Sequence, residues 1–166
     1  MADTMIKLHT KDDETVEVRQ CICEKSVLIK GLIEEAGTDE PIPLPEVTKA
    51  GLEKVLVYCE YLNDMPEGQE PPKINKPLSS VNMVEIADEW NANYVDLEQD
   101  ALFALVMDAN YLDIKSLLEV SCAKVTSYIK NKDVKEIRQY FKIENDFSPE
   151  EEASAHAEAE WVEKNM

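Results

Sequence analysis

Apolar and polar residues alternate near the start of the chain, in Met5-Ile-Lys-Leu-His-Thr10 and in Thr15-Val-Glu-Val18, with Lys-Asp-Asp-Glu between them. A period of two puts the apolar side chains on one face, so these segments predict a β-hairpin. The pattern then takes the helical period. Ser26 can cap a helix running to about Glu35, with Leu28, Ile29, Leu32 and Ile33 as its inner face, and Gly37 stops it. Pro41-Ile-Pro-Leu-Pro45 lacks the donors of a central strand and predicts a short edge strand. Thr48 caps the next helix, in which Leu52, Val55, Leu56 and Cys59 follow i, i+3, i+4, i+7 spacing. Residues 63–78 hold Pro66, Gly68, Pro71, Pro72 and Pro77 among polar residues and predict a mobile loop. Trp90 and Tyr94 follow in a stretch whose pattern assigns no element.

The densest apolar run is Leu102 to Leu118. Asp96-Leu-Glu-Gln99 reads as a capping box that opens a buried helix. Asn110-Tyr111 interrupts the run as a corner, where a polar tip and a ring face outward. Asp113 is expected to cap a second helix with the stripe Ile114, Leu117, Leu118, Ser121, Cys122, Val125 and Ile129. Asp133-Val-Lys-Glu136 starts another helix with Ile137, Tyr140 and Phe141, and a loop follows from Lys142 to Phe147. Ser148-Pro149-Glu150-Glu151 combines an N-cap, proline in the first turn and acids near the helix start. The helix it opens has a thin stripe, Ala153, Ala157 and Trp161. Burial contributes roughly 25 cal/mol per Å² of apolar surface, so alanines contribute little. Isolated helices of this length are marginal, and this one is expected to fray until Trp161 finds something to pack on. The chain thus divides into a mixed α/β unit, residues 1–112, and a helical extension, residues 113–166, with more apolar surface than it can cover alone.

Composition narrows the function. At 166 residues, 44% of them apolar, the chain is one domain with an appendage. Its 35 acidic against 17 basic residues give a net charge of -18. Such a chain repels phosphate backbones and anionic membranes, which argues against nucleic-acid and membrane partners. The acidic excess reads as solubility, or as a surface that steers basic partners. Cys21, Cys23, Cys59 and Cys122 form no CxxC pair. Cys59 and Cys122 fall on apolar helical faces and are expected to be reduced core residues, which suits a cytoplasmic or nuclear protein. Met-Ala-Asp-Thr-Met5 shows no leader pattern, and Ala101 to Met107 is too short to span a bilayer. His9 and His156 stand at opposite ends of the chain, and no glycine-rich phosphate loop, paired ligand motif or nucleophile elbow occurs. Neither catalytic residues nor a cofactor or metal are expected.

Three segments together resemble one family: Ala109-Asn-Tyr-Leu-Asp-Ile-Lys115; Glu136-Ile-Arg138 with Phe141; and Ile143-Glu-Asn-Asp-Phe-Ser-Pro-Glu-Glu-Glu-Ala153 leading to Glu160-Trp161. They are similar to the S-phase kinase-associated protein 1 family, the adaptors of SCF-type cullin–RING ubiquitin ligases. Val18, Ser26, Ile29-Lys30 and Pro43-Leu44-Pro45 extend the resemblance into the N-terminal part. It implies an α/β fold: a BTB/POZ-type domain with a small N-terminal sheet and helices, followed by a C-terminal helical extension. It also implies a non-catalytic bridge between a cullin scaffold and F-box substrate receptors, acting indirectly with a RING subunit and a ubiquitin-conjugating enzyme.

Residue by residue, Asn110 and Tyr111 match the family's cullin-facing corner. Leu117, Leu118, Val125 and Ile129 match the F-box-facing helix, some of them being core in a division the sequence leaves open. Ile137, Phe141, Ile143 and Trp161 match the extension that wraps the F-box. In some protist members the proline at the position of Pro149 is hydroxylated and then glycosylated. An ordinary first-turn proline explains that residue equally. Ser154-Ala-His-Ala-Glu-Ala-Glu160 departs from the family in lacking lysine and arginine. Gln20-Cys-Ile-Cys23 and Val81 to Tyr94 depart as well. A shorter BTB-type adaptor of the elongin C kind shares the corner but ends soon after it. A structural role in another F-box assembly, such as a kinetochore complex, uses the same surface. A homodimer is expected when no F-box covers that surface.

Overall fold

The structure, a computed structural model, describes residues 4–165, so most of the leader reading at Met1 to Met5 lies outside them. The chain divides into two compact units, the first ending at Lys130 and the second beginning at Asn131.

In the first unit, strand β1 (Met5–Thr10) buries Ile6, Leu8 and Thr10 and exposes Met5 and Lys7, as its alternation requires. It pairs antiparallel with β2 (Thr15–Arg19), with Ile6 opposite Val18 and Leu8 opposite Val16. Its other side pairs in parallel with β3 (Ile42–Leu44), giving the order β2-β1-β3. β3 is an edge strand, which is where Pro43 can be accommodated. Ile42 and Leu44 point into the core and Pro43 points out.

A single turn, α1 (Gln20–Cys23), had no counterpart in the pattern reading; it buries Ile22 and Cys23. Helix α2 (Val27–Ala36) starts at Ser26 and stops at Gly37, whose φ of 78° only glycine adopts easily. The Ser26 hydroxyl accepts from the Ile29 N–H and donates to the Leu112 carbonyl 86 positions away. One buried hydroxyl therefore caps α2 and ties it to the corner after the Leu102 helix. Ser26→Ala should destabilise the first unit by about 1–3 kcal/mol, because it removes the cap and leaves a buried carbonyl unmatched. Urea unfolding checks this, and a loss under about 0.5 kcal/mol would refute it.

Helix α3 (Lys49–Asn63), capped by Thr48, buries Leu52, Val55, Leu56, Tyr58 and Cys59. Residues 64–82 hold no helix or strand; the expected loop, residues 63–78, falls within them except for Asn63, which ends α3, yet its far end is anchored. Leu78 is buried, and the Lys130 ammonium donates to its carbonyl. One turn, α4 (Met83–Ile86), then leads to α5 (Glu89–Tyr94), whose cap is Asp88. This is the stretch that sequence pattern left unassigned. Trp90 and Tyr94 stand four apart on α5, so they share a face. Trp90 stacks on Tyr61 at 3.8 Å between centroids and on Tyr94 at 5.1 Å, pinning α5 to α3.

Helix α6 (Gln99–Tyr111) buries Leu102, Leu105 and Ala109, and α7 (Lys115–Ile129) packs against it. Two expected caps are corrected here. The box at Asp96 does not form: α6 begins at Gln99 with Glu98 before it and no side-chain cap, and Asp96 instead pairs with Lys124 at 2.9 Å. Asp113 does not cap α7, which is preceded by Ile114 without a side-chain bond. Asp113 closes α6, in the left-handed region at φ 51°. The Ile114 N–H reaches the Ala109 carbonyl and the Asp113 N–H reaches that of Asn110. This is a Schellman ending, with the buried pair Ala109 and Ile114 as its apolar contact. Cys122 is also corrected: it is exposed, whereas Cys23 and Cys59 are buried and desolvation pushes both thiols up to about 12.

The second unit holds α8 (Val134–Tyr140) and α9 (Pro149–Asn165). Asp133 and Glu136 form the expected capping box, and hydrogen bonds from the Asp133 backbone and Lys132 hold the Glu136 carboxyl below its usual range. Lys142, at φ 55°, ends α8 as Asp113 ends α6, with the Ile143 N–H on the Arg138 carbonyl. Ser148 and Glu151 cap α9 reciprocally. The described residues thus form an α/β fold with a small sheet, a helical layer and C-terminal helices. No helix among them is long and apolar enough to cross a membrane.

Candidate functional site

Helix α7 carries two apolar stripes, one fully buried and one only partly covered. Leu117, Val120, Ser121 and Ala123 are buried against the first unit's core. Leu118, Cys122, Val125 and Ile129 recur at i, i+4, i+7, i+11, an arc of about 60° on a helix of 3.6 residues per turn. Leu118, Val125 and Ile129 are half-buried and Cys122 is exposed. The expected F-box-facing set therefore splits. Leu117 is corrected to a core residue, because a fully buried side chain has no surface to offer a partner. Leu118, Val125 and Ile129 keep accessible surface. Between this stripe and the anchored loop lies a groove of about 480 Å³, lined chiefly by Ile74, Pro77, Leu78, Leu118 and Cys122.

The Asn110-Tyr111 corner is the end of α6 itself. Asn110 is exposed and Tyr111 is half-buried against the core. Burial raises the Tyr111 phenol above its ordinary value, and the negative charge of Glu46 raises it further. Left-handed Asp113 makes the chain turn sharply after the tyrosine, so Tyr111 sits at an edge where the helix stops and not along its side.

The second unit buries no residue of α8 or α9. Val134 is 57% exposed, Ile143 56%, Phe147 52% and Trp161 67%, a concentration of apolar surface that a short helical pair cannot cover by itself. Ile137 and Phe141 are half-buried. Polar contacts order the turn between the helices: Arg138 lies 3.6 Å from Glu152 and 5.4 Å from the centre of the Phe147 ring. A cleft of about 360 Å³ is lined by Val134, Arg138, Phe147, Ala155, His156 and Ala159, among others. Pro149 is the exposed first residue of α9. The Trp90 stack has no counterpart in the sequence pattern, although the i, i+4 spacing of Trp90 and Tyr94 after Asp88 signals it; the division of α7 into core and outer stripe, left open by the sequence, is supplied by the structure. Among the described residues no group of three or more His, Cys, Asp or Glu is arranged to hold a metal.

Residues 115–162 match the model described as Skp1 family, dimerisation domain, and residues 4–64 match the one described as Skp1 family, tetramerisation domain. An S-phase kinase-associated protein 1 homolog of Tetrahymena thermophila is 47% identical over 163 residues, covering 97% of this chain and 95% of that protein. The SCF ubiquitin ligase complex protein SKP1a of Dictyostelium discoideum is 41% identical, covering 96% of each. Suppressor of kinetochore protein 1 of Schizosaccharomyces pombe is also 41% identical, covering 95% of this chain and 97% of that protein. Two domain models of one family match most of the chain, and relatives align with it nearly end to end: the chain belongs to the Skp1 family.

Proposed function

We propose that this protein is a non-catalytic adaptor of an SCF-type ubiquitin ligase, joining F-box substrate receptors to a cullin scaffold. The observation that carries the reading is the uncovered apolar surface of residues 131–165; the first unit has a core of its own. Relatives named as SCF ubiquitin ligase complex proteins support it. The receptor is held by Leu118, Val125 and Ile129 of α7 and by Ile137, Phe141, Ile143 and Trp161. A stable interface buries roughly 1,200–2,000 Å² in total, a size such a helical surface can supply one side of. The scaffold docks at Asn110 and Tyr111, and through it a RING subunit and ubiquitin-conjugating enzyme act on the receptor's substrate. The protein works in the cytoplasm and nucleus, and self-associates through the receptor surface when no F-box is bound.

Replacing Asn110 and Tyr111 together by alanine should weaken binding of a cullin N-terminal domain at least about tenfold, or about 1.4 kcal/mol. F-box affinity should stay unchanged, and the melting temperature should fall only by what the half-buried Tyr111 ring contributes, leaving the protein folded. Calorimetry on the folded variant reads both, and unaltered scaffold affinity would sink the assignment of the corner.

Pro149, exposed at the start of α9, is the proposed site of prolyl hydroxylation and glycosylation. Mass spectrometry of the native protein across oxygen levels tests this, and only unmodified Pro149 in every sample would dismiss it. The kinetochore role is a second reading, carried by the name of the Schizosaccharomyces pombe relative alone. It uses the same receptor surface.

A further inference from the structure

Asp108 lies on α6 just ahead of the corner, two and three positions before Asn110 and Tyr111. It is half-buried, and loss of water raises its carboxyl above the ordinary aspartate value with no compensating contact. Among the described residues no lysine, arginine or histidine comes within ion-pair distance of it, and nothing donates a hydrogen bond to its carboxylate. Lys49, two positions before Gly51 on α3, reaches Glu14 at 3.4 Å.

The carboxylate rests over Gly51, in the first turn of α3. A Cβ at that position would overlap Asp108 Oδ2 and come within 3.3 Å of Asp108 Cγ. Any other residue at position 51 would therefore unseat the carboxylate. Glycine inside a helix weakens it, and a desolvated carboxylate without a partner weakens a fold. Two such local penalties meet here, and among the described residues no ion pair or hydrogen bond to the carboxylate offsets them. Glu46, in the turn before α3, lies close enough to Tyr111 for its negative charge to raise the phenol.

We propose that Asp108, seated over Gly51, receives the ammonium or guanidinium group of one lysine or arginine of the scaffold subunit that docks on the Asn110-Tyr111 corner. The inference rests on the reading of that corner as the scaffold face. Complementarity supports this occupant: the chain has a net charge of -18, and a charge-assisted hydrogen bond would satisfy a carboxylate that has already lost part of its water. Asp108 then selects for a basic scaffold residue, while Asn110 and Tyr111 supply the remaining contact.

The test uses the full chain with an F-box peptide bound, titrated with a recombinant cullin N-terminal domain at low and at high salt. Asp108→Asn keeps the shape and removes the charge. It should weaken binding about five- to tenfold at low salt, and the difference should shrink at high salt. The same variant should melt no lower than the parent, because it removes a desolvated charge. Gly51→Ala should weaken scaffold binding to a similar extent by displacing the carboxylate while leaving it in the chain. If Asp108→Asn binds as tightly as the parent at both salt levels while the Asn110-Tyr111 double substitution still abolishes binding, the inference is wrong and the docking face stands. A lower melting point for Asp108→Asn, with equal loss of F-box and scaffold binding, would make Asp108 merely structural. If the parent does not bind the scaffold, both the inference and the reading beneath it fail.

Discussion

Trp161→Ala should weaken capture of an F-box segment at least about 30-fold, the equivalent of about 2 kcal/mol, while leaving the stability of the first unit unchanged. Trp161 is 67% exposed on a helix whose remaining stripe, Ala153 and Ala157, covers almost nothing. Its backbone carbonyl accepts a hydrogen bond from the Asn165 side-chain amide. A tryptophan left in water by its own helix loses nothing on removal from the free protein. Everything it contributes appears in the complex, as expected of an aromatic anchor that a partner must desolvate. Alanine is also the better helix former, so a weaker α9 cannot account for the loss. Calorimetry with an F-box peptide, with circular dichroism as a check on helicity, measures both quantities. Unchanged affinity would remove Trp161 from the receptor surface.

Adjacent leucines on α7 should behave in opposite ways. Leu117→Ala should destabilise the first unit by about 2–5 kcal/mol, the range for emptying a packed leucine site. Leu117 is fully buried in a layer with Val120 and Ala123, between α6 and α7. Leu118→Ala should cost about 1 kcal/mol in stability, typical of a substitution that leaves no large cavity, and should register in F-box affinity instead. Leu118 lies at the groove beside Ile74 and Pro77, where a partner's apolar side chain can take up the space. Chemical unfolding with a parallel binding titration separates the two. Equal destabilisation by both would mean that the outer stripe is core as well.

These two leucines show what pattern can and cannot decide. The stripe from Ile114 to Ile129 was visible as a helix with a wide apolar arc. Periodicity reports that residues avoid water, not which neighbour excludes it, so core and receptor face were superimposed. The strands were legible because period-two alternation and the prolines flanking Ile42 and Leu44 leave few alternatives. Asp113 was misread for a physical reason: an aspartate before an apolar run looks like an N-cap. Here it occupies the left-handed position that glycine usually signals. Asp96 was drawn away by Lys124, a long-range pair that no local window contains. Trp161 was legible because its helix plainly lacked cover. The corner could be named only through family resemblance, since an exposed Asn-Tyr pair carries no chemistry of its own. Gly51 and Asp108 are 57 positions apart and meet only in the folded chain.

The central claim is that one chain holds two partners on separate faces. The most direct measurement is a crossed titration: the parent, Trp161→Ala and the Asn110-Tyr111 double alanine variant, each against an F-box peptide and a cullin N-terminal domain, with melting curves alongside. Trp161→Ala should lose the F-box and keep the scaffold, and the corner variant should do the reverse, with all three proteins folded at the titration temperature. Equal loss of both partners by either variant, while it remains folded, would contradict the two-face claim.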